Sequence, residues 1–101
     1  MEKLDNIHPG EILKEEFLEP FGITAYRLAK ETNIPITRIM EILKKKRKIT
    51  IDTALRLSAF FGNSVDFWVG IQSEFEIREE KEKLSAEISK IHNVREFAHN
   101  L

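Results

Sequence analysis

The chain has 101 residues, of which 42% are hydrophobic and 33% charged, and its formal charge is −1. That supports one modest core, and the absence of cysteine excludes disulfides and thiolate metal sites while fitting a reducing cytoplasm. No apolar run approaches the ~18 residues a membrane-spanning helix needs, and the N-terminus lacks a signal-peptide pattern, so a soluble cytoplasmic protein is expected, with no membrane contact.

Residues 1–7 are polar and are expected to fray. Pro9 suits the first position of a helix, with His8 as a possible cap and Glu11 in the first turn. Ile12, Leu13, Phe17 and Leu18 recur at helical spacing, Glu15 and Glu16 fall on the wet side, and Pro20 with Gly22 is expected to end this helix. Thr24 is a good cap for a second helix, Ala25 to Glu31, with Leu28 and Ala29 inward. Asn33 occupies a turn position that favours a left-handed backbone, which Asn tolerates better than most residues. Ile34 then turns back to the core.

A third helix is expected from Pro35 to Lys44, burying Ile39, Ile42 and Leu43. Residues 44–48, KKKRK, straddle its end and the following loop. Thr50 caps a fourth helix that packs through Ala54, Leu55, Leu57, Ser58 and Phe61 and stops at Gly62. Ser64 caps a fifth, which carries Phe67, Trp68, Ile71 and Phe75 and is expected to run on to about Ile91. Within it Ile77, Leu84, Ile88 and Ile91 share one stripe. Asn93 with Glu96 resembles a capping box for a last short helix using Val94, Phe97, Ala98 and Leu101. Strand-like alternation is missing, so the chain reads as all-α.

Thr24 to Lys44, two short helices around a tight turn, has the layout of a helix-turn-helix, whose second helix can enter a DNA major groove. Any small all-α domain also holds two helices joined by a turn, so charge must arbitrate. Residues 25–56 hold nine basic and three acidic side chains, a local net of +6, whereas residues 1–24 are net −4. A cationic segment in a near-neutral chain suits one face that meets a polyanion. Thr37, Arg38, Met40 and Glu41 are the candidate base-facing set, and Lys44, Lys45, Lys46 and Arg47 candidate phosphate contacts. Arg38 could pair with guanine O6 and N7; the alternatives are a phosphate clamp or an ordinary surface residue.

Catalysis finds no such constellation. His8, His92 and His99 lack metal-ligand spacing, Gly10, Gly22, Gly62 and Gly70 are isolated, and Glu15-Glu16 and Glu79-Glu80 read as surface carboxylates. No enzyme activity, metal or cofactor is expected.

The blocks HPGEILKEEFLEP, ITAYRLAK, IPITRIMEILKKKRKIT, DTALRLSAFFG and SVDFW, in this order from about His8 to Gln72, resemble the HigA-type antitoxins of the XRE (lambda-repressor-like) helix-turn-helix group. The resemblance implies a five-helix DNA-binding domain, placed at residues 1–72; beyond Gln72 it fades, and residues 73–101 read from their own pattern as a C-terminal helical extension. It also implies a homodimer on a palindromic double-stranded operator, neutralisation of a HigB-type, RelE-like messenger-RNA endonuclease, and repression of the chain's own operon. The DNA-reading positions then fall at Pro35, Ile36, Thr37, Arg38 and Glu41, with Lys44 to Arg47 beside them. Many relatives carry Gly in place of Asn33, and Ser or Asn in place of Met40; a methionine there could touch a thymine methyl. The alternatives are a stand-alone XRE-type regulator and a module acting mainly through a protein partner. Ile77, Leu84, Ile88 and Ile91 are candidates for a dimer interface, a toxin contact or packing on the chain's own core. Phe67 and Trp68 are candidates for core or interface.

Overall fold

The computed structural model describes residues 5–98. His99, Leu101 and the first four residues of the expected frayed N-terminus lie outside them. Helix α1 covers residues 9–21 in three windings: α over Pro9–Ile12, π over Leu13–Leu18, and α again over Glu19–Phe21. His8 caps it, with Nδ1 accepting from the Gly10 N–H at 2.9 Å. The helix ends at Gly22, at φ 65°, as expected, but Pro20 lies inside its last turn rather than helping to stop it. In a regular α-helix the proline ring collides with the carbonyl four residues back; the wider π winding just before Pro20 relieves that conflict.

Four further helices follow: α2 (Ala25–Thr32), α3 (Ile36–Leu43), α4 (Ile51–Phe61) and α5 (Val65–Ser89). The caps are local and match the sequence expectations. The hydroxyls of Thr24, Thr50 and Ser64 accept from the N–H groups of Arg27, Thr53 and Phe67, and Gly62, at φ 76°, closes α4. Among the described residues there is no strand, so the fold is all-α.

Leu13, Leu28, Ile39, Ile42, Leu57 and Trp68 are fully buried and form the core where α1 to α4 meet the start of α5. Trp68 packs at a tilt against Phe17 (ring centroids 4.7 Å apart) and donates its indole N–H to Asn63 Oδ1 at 2.9 Å. At 0% exposure Trp68 is a core residue of its own chain and cannot be an interface residue, whereas neighbouring Phe67 is half-buried. Leu55, expected inside, is 53% exposed, since the buried stripe of α4 runs through Thr53, Ala54, Leu57 and Ser58.

Helix α5 passes residue 72 without a break. Gln72 is its last buried side chain, and its Oε1 accepts from the Ile49 N–H at 2.9 Å, fastening the loop after α3. Beyond it the helix leaves the core, and the molecule measures 58 × 32 × 22 Å. Ile77, Leu84 and Ile88 are 51%, 42% and 47% exposed, so among the described residues the stripe does not join the core. The helix ends at Ser89, two residues before Ile91, which is itself exposed. The expected last helix is a single 3-10 turn, Val94–Glu96. Its capping box does not form: Asn93 accepts from the Arg95 N–H, and Glu96 pairs instead with His92 at 2.6 Å. Val94 and Phe97 stay exposed and do not anchor a longer helix.

Candidate nucleic-acid interface

The turn between α2 and α3 depends on one backbone inversion. Asn33 takes φ 56° and ψ 36°, its N–H and that of Ile34 both return to the Ala29 carbonyl, and Ile34 enters the core. Pro35 precedes α3, and its carbonyl accepts from Arg38 and Ile39 at 3.0 and 3.2 Å. With Ile39 and Ile42 fully buried, the opposite side of α3 carries Thr37, Met40 and Lys44 outward, flanked by half-buried Arg38 and Glu41. Pro35 is exposed at the start, whereas Ile36 is half-buried against the core.

At the far end α3 closes in a Schellman motif. Lys45 donates to the Ile42 carbonyl at 3.0 Å and Lys46 to the Glu41 carbonyl at 2.9 Å. This motif requires a left-handed residue, and the chain supplies Lys45, at φ 65°. A side chain there costs about 1 kcal/mol that glycine avoids. Lys44, Lys45, Lys46 and Arg47 are all exposed along this turn and continue the outer surface of α3. Replacing Lys45 by Gly is expected to raise stability by about 1 kcal/mol, or ~4–8 °C in Tm, while lowering affinity for a polyanion. Parallel thermal melts and salt-dependent binding titrations check both signs; a lower Tm would contradict the strain at this position.

Carboxylates meet several of these cations. Arg47 lies 3.4 Å from Glu41, Lys45 3.5 Å from Glu11, and Arg38 Nη1 3.2 Å from Asp52 Oδ1. The same Asp52 oxygen accepts from Arg56 Nε at 2.9 Å, and Arg56 Nη1 donates to the Thr32 carbonyl at 3.0 Å, closing the end of α2. The Arg56 hydrogen bond, with the charges of both arginines, holds the Asp52 carboxyl below its ordinary pKa despite a smaller opposing desolvation. Asp52 and Arg56 were legible only as a helical i,i+4 pair, because the link from Asp52 to Arg38 spans 14 residues and forms by folding.

Under the same turn α1 comes close to the backbone of α3. A Cβ added to Gly10 would stand 1.9 Å from the Ile42 carbonyl oxygen and 2.8 Å from its carbon. His8, beside it, is buried edge-on to Phe75 at 4.9 Å. Burial first, and then Lys45, hold its pKa below the usual histidine value against the pull of Glu11, which favours the neutral ring that the cap needs. Among the described residues no group of three or more His, Asp or Glu side chains converges on a metal position.

Residues 14–68 match the family model described as Helix-turn-helix. The chain is 45% identical over 83 residues to Virulence-associated protein I of Dichelobacter nodosus, covering 81% of this chain and 77% of that one. The structure superimposes on the Pseudomonas aeruginosa antitoxin HigA with higBA promoter at a TM-score of 0.84 and 33% identity, covering 89% of this chain and 99% of the other. It also superimposes on an addiction module antidote protein of a HigA family from Coxiella burnetii at 0.82 and 41% identity, over 89% and 98% of the two chains.

Proposed function

The chain belongs to the helix-turn-helix family of XRE type, whose members are DNA-binding regulators and antitoxins rather than enzymes, and on that premise we propose that it is a dimeric DNA-binding antitoxin. In this reading it represses its own operon from the cytoplasm and neutralises a HigB-like messenger-RNA endonuclease. The observation that carries the DNA-binding part is the placement of the cationic segment. Arg38 lies on α3 and the exposed turn Lys44 to Arg47 ends the same helix, in a fold shared with an antitoxin HigA with higBA promoter. The bare apolar side of α5 supports a dimer or a protein partner. Two α3 helices, about 34 Å apart across a two-fold axis, would enter successive major grooves of a palindromic site.

Within each groove Arg38 supplies a fork of donors for a guanine edge, Met40 an apolar contact for a thymine methyl, and the lysines salt-sensitive attraction to phosphates. With DNA from upstream of its own gene, Arg38→Ala is expected to lose about 1–3 kcal/mol and to relax preference at one base pair. The pair Lys45→Ala and Lys46→Ala should instead weaken all sequences alike and flatten the salt slope by roughly 2. Operator affinity unchanged in every variant would remove this face from the reading. Co-purification with a small basic ribonuclease encoded beside the gene tests the antitoxin part separately.

A further inference from the structure

We propose that Asp52 is a specificity-determining positioning residue, which fixes the aim of the Arg38 guanidinium and so sets the base pair that Arg38 discriminates. This rests on the DNA-reading role of α3 given above. Arg38 leaves α3 at the side facing the first turn of α4 and is 29% exposed there, an unusually confined setting for an arginine at a candidate DNA surface. Its Nη1 is held by Asp52 Oδ1 at 3.2 Å. The same Asp52 oxygen, on a side chain 57% exposed, also accepts from Arg56 Nε at 2.9 Å. Arg56 is anchored through Nη1 to the backbone carbonyl of Thr32 at 3.0 Å. The chain of contacts therefore runs from the last residue of α2, through α4, to the side chain on α3, and it crosses all three helices that frame the turn.

The chemistry follows from the shape of the guanidinium. Five N–H donors lie in one plane, and a guanine edge offers two acceptors that only a correctly oriented pair of donors can meet. With Nη1 committed to Asp52, the Nε–Nη2 edge remains for that pair. An arginine without such a buttress samples many rotamers, each of which can find some phosphate or base acceptor, so its contact adds affinity without choosing a sequence. Asp52 also carries a negative charge toward a polyanion, which penalises binding wherever Arg38 finds no base partner to offset it. Both effects raise discrimination rather than affinity. They separate Asp52 from the lysines of the neighbouring turn, which act on every sequence alike.

The experiment measures binding of the full chain to its operator, to operators carrying each base-pair change in turn, and to unrelated DNA, for Asp52→Asn, Asp52→Glu, Arg38→Ala and the double variant Arg38→Ala with Asp52→Asn. Asp52→Asn keeps the shape but loses the charge. It is expected to bind unrelated DNA at least as tightly as the parent, and to lose about tenfold discrimination at the one base pair where Arg38→Ala loses it. In the double variant the losses should coincide rather than multiply, and Asp52→Glu should recover part of the discrimination. A residue that merely stabilised α4 would lower affinity for every sequence in step with Tm and leave the base preference in place. Full discrimination by Asp52→Asn, alongside a loss in Arg38→Ala, overturns the positioning role alone. Retained affinity and discrimination in Arg38→Ala overturns the DNA-reading assignment together with it.

Discussion

Gly10→Ala is expected to cost about 3 kcal/mol of folding stability, at the upper end of what one added methyl does in a packed interior. The added carbon would sit 1.9 Å from the Ile42 carbonyl oxygen. The obstacle is backbone, so no side-chain rotation can make room, and α1 and the end of α3 must separate by more than an ångström. That carbonyl is already committed to the Lys45 N–H in the Schellman motif, so its displacement also disturbs the basic turn. For a domain of this size the loss corresponds to a fall of roughly 12–24 °C in Tm. Thermal melts check the stability, and operator titration well below the melting range checks the second consequence, a weakened DNA contact although Gly10 lies beneath the surface. A melting point within about 2 °C of the parent would show that α1 does not seat on α3 this closely.

The second large effect concerns the far end of the molecule. Leu84→Glu with Ile88→Glu places two charges on a side of α5 that stays exposed among the described residues. Intrachain packing should not register this, and helical content should hold, since Glu is a good helix former. If the stripe joins two copies, the change splits them, because burying two carboxylates in an apolar seam is prohibitive. A dimer engages the second half-site as an intramolecular event, so operator affinity should fall by about 100-fold or more while contact with a single half-site persists. Sedimentation gives the mass and a half-site titration gives the residual binding. If the mass and operator affinity both stay at the parent values while capture of the ribonuclease is lost, the stripe belongs to the protein partner instead.

How much of this was readable in the sequence depends on the range over which each feature is decided. Caps at Thr24, Thr50 and Ser64, the stop at Gly62 and the inversion at Asn33 are set by neighbours two to four residues away, and all were legible. Leu55 was misplaced because adjacent Ala54 and Leu57 leave the phase of a short apolar helix ambiguous by one residue. Trp68 could be recognised as apolar and helical, but whether its ring faces its own core depends on Phe17 and Asn63, which only the fold brings together. The expected final helix is one turn among the described residues, because its motif was complete on paper while Val94 and Phe97 stay exposed. At the candidate interface the outward set on α3 followed from periodicity. The carboxylates that meet it, Glu11 and Asp52, come from other helices, and Gly10 looked isolated because its neighbour Ile42 lies 32 positions away.

The winding of α1 has a bearing on how this chain tolerates gain or loss of a residue. A π segment holds one residue more than an α segment that spans the same ends, so Leu13–Leu18 amounts to an insertion absorbed without lengthening the helix. Deleting exposed Glu15 or Glu16 would let the segment rewind as α and keep Leu13 and Leu18 on the inner side, but it would return Pro20 to a regular helix, where its ring has no room. Deletion together with Pro20→Ala removes that obstacle. The proline thus depends on the insertion, and a lineage that lost the insertion would be under pressure to lose the proline as well.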